Sequence, residues 1–408
     1  MPRPCAAAAA RAEARPRHEV ADIFRAHGGE YTASHRPSGP ELRVLRAIQV
    51  CRTAHLGGHL ERCDRCDFER PAYNSCRNRH CPKCQVLAKA EWLEKRRAEL
   101  LPVPYFHAVF TLPHEINTLA LGNRRLVYGL LFQAVSGTLQ EFAADPKHGL
   151  GGRLGFTAIL HTWDQKLRYH IHLHCLIPAG ALSFDDRRWI PARTTFLFPV
   201  RALSRLFRGK FLHALRHAYP RLRHPPSSSA FRELLADLWN HEWVVYCRPP
   251  FDGPDRTLDY LGRYTHRIAI SNHRLVAVTG GRVAFRYRDR NDGDRPRVMI
   301  LSAMEFMRRF LLHVLPPSFV RIRHFGFLAN RCKTRRLEQC RRLLGARPSE
   351  PPPDARALPE RVRRLTGVDL QTCPACRSGH MVVVAHLRRV ALLRALQPRL
   401  PPAENTPA

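Results

Sequence analysis

Alternating hydrophobic and polar positions predict several β-strands along this chain. The stretch "GFTAILHTWDQKLRYHIHLHCLIPAG" reads as two strands joined near Asp164 to Lys166. "YFHAVFTLPHEIN" is another β-rich run, closed by a leucine–proline pair. "RLVAVTGGRVAFRYRDR" predicts a hairpin that turns at Gly280 and Gly281.

Longer stretches with apolar residues three or four positions apart predict helices between these strands. They include "QVLAKAEWLEKRRAELL", "LVYGLLFQAVSGTLQEFA" and "SAMEFMRRFLLHVL", together with residues 201–219 and 230–243. No apolar run approaches the ~18 residues of a membrane-spanning helix. The pattern is therefore that of a chain with both strands and helices.

The length of 408 residues exceeds what one ordinary domain needs, so we expect more than one folding unit. The prolines of "PSEPPPDARALPE" are typical of a linker. We expect an irregular basic leader at 1–40, a cysteine-rich domain at 41–100, a main domain at 101–345, the linker at 346–360 and a short tail at 361–408.

The charge of the chain indicates a polyanionic partner. There are 67 Lys and Arg residues against 34 Asp and Glu, which gives a net charge of +33 and a pI of about 10.9. Release of counterions from phosphates would drive binding of such a chain to nucleic acid. Genomic codon bias is an alternative source of the arginine excess, so charge alone does not decide the partner.

Cysteine spacing predicts a structural zinc site. Six of the 13 cysteines lie between Cys51 and Cys84. "CDRC" and "CPKC" supply Cys63, Cys66, Cys81 and Cys84, and two such pairs complete a closed tetrahedral four-thiolate site. Because the N-terminus lacks a secretory signal, metal is favoured over disulfides, and we expect a cytoplasmic, nucleoid-associated protein.

Further ligand-type residues leave a second zinc ion open as an alternative. They are Cys51, His59, Cys76 and His80. The histidines could instead face solvent or phosphate, since "SCRNRHCPKC" is also basic and offers Arg77, Arg79 and Lys83 as DNA contacts. The tail carries Cys373, Cys376 and His380, an incomplete zinc site unless Cys332 or Cys340 contributes.

Three histidines occupy every second position of one predicted strand. Because side chains alternate along a strand, His170, His172 and His174 share one face and could hold a metal ion. Imidazole suits Zn²⁺, Mn²⁺ and Fe²⁺ and accepts Mg²⁺ less readily. His161 on the neighbouring strand is a further candidate ligand, although we expect it to make a structural hydrogen bond to Asp164 or to backbone.

Two tyrosines lie four positions apart in "DYLGRYTHR". Tyr260 and Tyr264 would share a helical face, with Arg263 and Arg267 interleaved. A phenol is a poor nucleophile unless nearby cations stabilise the phenolate, and arginines or a metal ion could do so. Packing of both rings into a core is the alternative interpretation.

The order of these motifs resembles the IS91-type transposases, which belong to the HUH (His-hydrophobic-His) single-strand nucleases. The resemblance covers about residues 40–345 and rests on the cysteine head, "YFHAVFTLPHEIN", "LHTWDQKLRYHIHLHCLIPAG", "YLGRYTHRIAISN" and "RIRHFGFLANR". It implies an α+β fold in which an antiparallel sheet with flanking helices, the HUH strand central, follows a small zinc-binding domain.

The same resemblance assigns roles to the candidate residues. It implies that His172 and His174 are the HUH pair, that His170 is the extra histidine placed before it, and that Tyr260 and Tyr264 are nucleophiles. The activity implied is Mg²⁺- or Mn²⁺-dependent cleavage and strand transfer of single-stranded or hairpin DNA through a 5′-phosphotyrosine. Residues 101–345 would then be catalytic and residues 41–100 would recognise DNA.

Two other functions remain open on the residues alone. One is a zinc-dependent DNA-binding regulator without catalysis, in which the histidine strand is structural. The other is a metal-dependent hydrolase that uses the three histidines to activate water. Neither needs a tyrosine.

Overall fold

A computed structural model describes most of the chain. The residues described are 16–147, 149–193, 197–251, 262, 268–289, 292–347 and 358–390. Everything below refers to them. The described helices are α1 (Val20–His35), α2 (Gly39–Gln49), α3 (Gln85–Arg97), α4 (Asn117–Gly122), α5 (Arg124–Ala144), α6 (Val200–His217), α7 (Ser228–Asn240), α8 (Ala303–Leu312), α9 (Lys333–Leu343) and α10 (Leu358–Thr366).

The strands form small antiparallel sheets. They are β1 (Gly58–Cys63), β2 (Glu69–Tyr73), β3 (Tyr105–Thr111), β4 (Gly152–Arg153), β5 (Gly155–Trp163), β6 (Tyr169–Pro178), β7 (Gly180–Ser183), β8 (Trp189–Pro191), β9 (Val245–Phe251), β10 (Leu275–Thr279), β11 (Arg282–Asp289), β12 (Arg295–Ser302), β13 (Ile322–Gly326) and β14 (Met381–Leu387). The largest sheet has the order β13-β5-β6-β3-β9, which places β6 at its centre. The α+β fold with a central histidine strand is confirmed.

The main core lies on one face of this five-stranded sheet. Ile171, Leu173 and Cys175 of β6 point into it and are almost fully buried. Helices α5 and α6 cover the same face, and Phe207 of α6 meets Phe110 of β3 edge to face at a centroid distance of 5.2 Å. Because side chains alternate along a strand, the histidines of β6 are left on the opposite face.

A second core joins the N-terminal helices to the rest of the chain. Val20, Ile23 and Phe24 of α1 are fully buried and pack with α8, where Phe310 contacts Phe24 at 5.3 Å. The expectation of an irregular leader over residues 1–40 is wrong for its described part, because α1 carries an apolar face that the chain buries.

The C-terminal segment is not a separate tail. Strand β14 pairs antiparallel with β1, and β1 also pairs with β2, so the cysteine-rich head and the end of the described chain share one sheet. Helix α10 starts inside the expected linker, 346–360, and contacts α3 through an ion pair of Arg361 with Glu91 at 3.2 Å. Within the described ranges, no helix combines the length and the apolar character needed to cross a membrane.

Candidate metal centres

A cluster of three histidines lies on the face of the central sheet opposite the main core. His161 of β5 is directly across from His172 of β6, and His174 follows two positions later. Their ligand nitrogens all lie within 4.8 Å of one another, and the side chains are only 4–8% exposed. In the described part of the chain no carboxylate belongs to this group. Its three candidate ligands are therefore all imidazoles.

Hydrogen bonds on the outer side of the rings set their tautomers. Nδ1 of His172 lies 3.0 Å from the carbonyl oxygen of His170, so this nitrogen carries the proton and donates it. Nδ1 of His174 lies 2.9 Å from Nε2 of His107. Burial lowers the pKa of His107 to about 3, so that ring is neutral and shares one hydrogen bond with His174. His172 then presents a lone pair on Nε2, and His174 turns its own Nε2 toward it.

The spacing of the two Nε2 atoms is compatible with a shared cation. Nε2 of His172 and Nε2 of His174 are 3.0 Å apart. Two ligands of one ion at ~2.1 Å each, at the ~90° angle of an octahedral site, would be separated in this way. Histidines that bind metals typically donate their other N–H to a carbonyl or similar acceptor, which is the arrangement found here.

The third member of the cluster is His161, not His170. His170, the expected third ligand, lies outside this group: its ring is 4.9 Å from that of His172, and its backbone carbonyl accepts from Nδ1 of His172. The register, in which cross-strand partners are ~5 Å apart, places His161 in the group instead. The ring of His161 also stacks on Trp163 at a centroid distance of 4.4 Å, and its expected hydrogen bond to Asp164 or to backbone stays a prediction.

The predicted nucleophiles Tyr260 and Tyr264, with Arg263 and Arg267, lie outside the described residues. Gly262, between the two tyrosines, is described as helical and buried. A Cβ atom at this position would lie 3.0 Å from Cδ1 of Leu93 and 3.1 Å from Cε of Lys89, so α3 packs directly against it.

Helix α3 in turn lies against the histidine face of the sheet. Its Trp92 and Leu93 pack on a small cluster that includes Ile159 and Leu176. Ile159 is the cross-strand partner of His174, and Leu176 lies two positions beyond His174 on β6. The same helix therefore contacts both Gly262 and the sheet face that bears the histidines.

The cysteines form two four-membered clusters, and neither is the predicted one. Cys51, Cys76, Cys81 and Cys84 make the first, and Cys63, Cys66, Cys373 and Cys376 make the second. The four sulfurs of each cluster lie within 4.8 Å of one another. Four thiolates at 2.3 Å from a zinc ion are separated by ~3.8 Å in a tetrahedron, so both clusters have the donor set and spacing of a zinc site.

The predicted grouping of Cys63 and Cys66 with Cys81 and Cys84 is wrong. Each CxxC pair forms a turn that presents two thiolates, and spacing alone does not say which turns meet. In the first cluster Cys84 Sγ lies 3.5 Å from both Cys51 Sγ and Cys76 Sγ. Cys51 and Cys81 are almost fully buried in the second core, so this cluster fastens α2 and the start of α3.

The histidines of the suggested second zinc site have other partners. Nε2 of His59 lies 3.0 Å from Glu61 Oε1, on the sheet. Nε2 of His80 accepts a hydrogen bond from the backbone N–H of Leu315 at 3.2 Å, and burial lowers the pKa of His80 to about 3. Only Cys51 and Cys76 of that proposed set belong to a cluster, and they join Cys81 and Cys84.

The predicted DNA-contacting residues of the head are in different environments. Arg77 is exposed. The guanidinium of Arg79 donates to the carbonyl oxygens of Phe319 and Pro316, at 2.6 and 2.9 Å. Lys83 forms an ion pair with Glu19 at 2.5 Å. Arg79 and Lys83 thus connect the head to the rest of the chain.

Comparison with known proteins identifies the class. The family described as "Transposase zinc-binding domain" matches residues 23–112, which contain the whole first cysteine cluster. The family described as "Putative transposase" matches residues 155–336, which contain the three clustered histidines. Both families are those of transposases, a class of DNA-processing enzymes.

Individual relatives narrow the class further. The chain is 53% identical over 384 residues to "Putative transposase y4qJ" of Sinorhizobium fredii, covering 91% of this chain and 96% of the relative. It is 29% identical over 307 residues to "Transposase for insertion sequence element IS801" of Pseudomonas savastanoi pv. phaseolicola, covering 71% of each chain. No solved structure matches. The chain belongs to the IS91-type transposases, as its motifs predicted.

Proposed function

We propose that this transposase moves an insertion sequence by metal-dependent cleavage and rejoining of single-stranded DNA, through a 5′-phosphotyrosine and a rolling-circle-like route. The observation that carries the proposal is the cluster of His161, His172 and His174, whose buried ring nitrogens all lie within 4.8 Å of one another on the central sheet.

The donor set fits a divalent ion held by neutral nitrogen ligands. Three imidazoles suit Mn²⁺ better than Mg²⁺, which prefers oxygen. When bound, the ion would polarise a phosphate oxygen of the DNA strand. Because the imidazoles add no negative charge, they do not repel the phosphate that must approach.

Cleavage would use the phenol of Tyr260 or Tyr264. The phenol oxygen attacks phosphorus and loses its proton, a tyrosyl O–P bond forms, the P–O3′ bond breaks, and the 3′ oxygen leaves as a hydroxyl. One phosphodiester linkage replaces another, so the reverse reaction rejoins DNA without ATP. Two tyrosines would allow a second strand to be cut while the first remains attached.

Packing supports this assignment of the tyrosines. Gly262 contacts Leu93 and Lys89 of α3, and α3 covers the sheet face that carries the histidines. Tyr260 and Tyr264 are each two positions from Gly262 in the sequence. Arg263 and Arg267 would supply positive charge to stabilise a phenolate.

The unpaired strand would meet aromatic and basic side chains. Tyr246 of β9 is 42% exposed and pairs with Val109, which itself pairs with His174, so Tyr246 lies on the histidine face. The guanidinium of Arg248 lies over the Tyr246 ring at 5.2 Å. Aromatic rings of this kind stack on unpaired bases at ~1–3 kcal/mol per base. The net charge of +33 would add the sequence-independent attraction.

The test is formation of a covalent adduct. Full-length protein is incubated with Mn²⁺ and a 5′-labelled or 3′-labelled single-stranded oligonucleotide that carries the element end, and products are resolved under denaturing conditions. We expect protein attached to the 5′-phosphate of the downstream fragment, so the 3′ label moves with the protein and the 5′-labelled fragment is released with a 3′ hydroxyl. Peptide mass spectrometry should map the attachment to Tyr260 or Tyr264. Tyr260→Phe combined with Tyr264→Phe should abolish it.

Tyr246→Phe is the matched control, since this exposed tyrosine lies on the same face and the change removes only its hydroxyl. It should leave the adduct intact. An adduct at full yield in the double variant would refute the assignment of the nucleophiles. If the unmodified protein and the double variant both cleave DNA without forming an adduct, the hydrolase is favoured. If both bind DNA without cleaving it, the regulator is favoured.

A further inference from the structure

The second cysteine cluster joins residues from opposite ends of the chain. Cys63 Sγ lies 3.7 Å from Cys376 Sγ, although the two are 313 positions apart. Cys66 Sγ lies 3.8 Å from Cys373 Sγ. These separations match the ~3.8 Å edge of a tetrahedral four-thiolate zinc site. The two matched transposase families end at residues 112 and 336, so neither contains the C-terminal half of this cluster.

The backbone around these sulfurs has the geometry of two facing metal-binding turns. The N–H of Arg65 points at Cys63 Sγ at 3.4 Å, and the N–H of Gly379 points at Cys376 Sγ at 3.3 Å. Such N–H donors stabilise thiolate charge. In the head the donor lies two residues after the first cysteine of its pair, and in the C-terminal turn it lies three residues after the second.

Gly379 shows how closely the two turns approach. A Cβ atom at this position would lie 2.5 Å from Cys63 Sγ and 2.7 Å from Asp64 Oδ1, so only glycine fits. Asp64 adds two more links: its carboxylate accepts from the N–H of His380 at 2.7 Å, and its N–H donates to the carbonyl of His380 at 3.0 Å. The head and the C-terminal turn therefore contact each other through a closely packed glycine and two hydrogen bonds, in addition to the four cysteine sulfurs.

We propose that Cys63, Cys66, Cys373 and Cys376 bind a structural zinc ion that fastens the C-terminal segment to the N-terminal head. The ion would hold β14, the last of the described strands, on β1 and would keep α10 in contact with α3. Helix α3 covers the histidine face of the sheet and contacts Gly262. The zinc ion would therefore also help to hold α3 in place over the histidine cluster. The proposal does not depend on the DNA chemistry.

Zinc content of variants tests which cysteines share an ion. Metal is measured by mass spectrometry in full-length protein and compared with the unmodified chain. We expect Cys63→Ser with Cys66→Ser to lose one equivalent, Cys373→Ser with Cys376→Ser to lose one, and the quadruple variant to lose no more than one. Cys81→Ser with Cys84→Ser should lose a different equivalent, additive with the others.

Cys332→Ser is the matched control. This cysteine belongs to the same C-terminal half, but its thiol donates to backbone carbonyls, among them Ala329 at 3.5 Å. It should retain every zinc equivalent. If the change at Cys373 and Cys376 leaves the zinc content unchanged, or if the head and tail pairs lose two ions when combined, the shared site is refuted.

A second measurement works without cysteine variants. A specific protease site is inserted within residues 348–357 and cut in the otherwise unmodified protein, which is then passed over a sizing column. We expect the C-terminal fragment to remain with the rest of the chain and to leave after treatment with a chelator. Retention of the fragment in zinc-depleted protein would show that strand pairing alone holds it and would overturn the proposal.

Discussion

From the geometry of the histidine cluster we predict how strongly each of three histidine-to-phenylalanine substitutions lowers the affinity for a metal ion. His161→Phe removes a ligand while keeping a ring that can stack on Trp163. His107→Phe keeps every ligand but removes the acceptor behind Nδ1 of His174. His170→Phe removes an imidazole that lies outside the cluster, and it leaves the backbone carbonyl that holds His172.

The structure also sets the size of each effect. Loss of an outer hydrogen-bond partner such as His107 typically weakens metal binding 10–100-fold, or ~1.4–2.8 kcal/mol. Loss of a ligand should cost more than that, so His161→Phe is expected to weaken binding by over ~100-fold. His170→Phe should change the affinity by less than ~3-fold, because His170 lies outside the ligand group and the backbone carbonyl that holds His172 is kept.

Mn²⁺ binding to the full-length protein is the assay, followed by calorimetry or by the electron paramagnetic resonance signal of free Mn²⁺. Near-ultraviolet circular dichroism of each variant checks that the fold persists. Zinc content provides a second control, since all three changes leave the cysteine clusters intact. If His170→Phe weakens binding more than His161→Phe, the third ligand has been misassigned and the sequence-based expectation stands.

Three other changes test the packing and the electrostatics. His313 is fully buried and burial lowers its pKa to about 4. Because the unfolded chain binds this proton below pH ~6.5, His313 should take away ~1.4 kcal/mol of stability per pH unit as the pH falls from 6.5 to 4, and His313→Gln should reduce the slope by that amount in urea unfolding. Leu173→Ala, at a fully buried position between His172 and His174, should cost ~3–5 kcal/mol by the same measurement while leaving Mn²⁺ affinity unchanged at a temperature where the variant stays folded. Gly379→Ala should lose one zinc equivalent, whereas Gly209→Ala, whose added Cβ would meet nothing within 4 Å in α6, should keep it and stabilise the helix by ~0.5–1 kcal/mol.

Much of the fold could be predicted from local pattern. The hairpin at Gly280 and Gly281, the helices near 201–219 and 230–243, and the two strands around Asp164 all depend on periodicity and turn chemistry, which act over a few residues. The second core could not be predicted in the same way. It depends on the packing of α1 against α8, two helices far apart in the sequence, and no local pattern predicts that contact.

The metal sites show where sequence reasoning ends. That His172 and His174 share one face follows from alternation along a single strand. The membership of His161 in the cluster depends on the register that places it opposite His172, which the sequence does not show. Each of the two predicted cysteine pairs contributes to a four-cysteine cluster, but which pairs meet depends on tertiary contacts such as that between Gly379 and Cys63.

Strand β6 contributes side chains both to the main core and to the histidine cluster, so the packing of the fold and the geometry of the site depend on the same strand. Its odd-numbered residues, Ile171 and Leu173 among them, fill the main core, and His172 and His174 occupy the other face. Because the side-chain period of a strand is two, a shift of one residue in its pairing would place the histidines in the core and the apolar residues in the site. The burial of Leu173 therefore stabilises the register that aims His172 and His174 at one point. The cysteine clusters are built mainly on turns and not on β6. Loss of one cluster is therefore not expected to change the pairing register of β6.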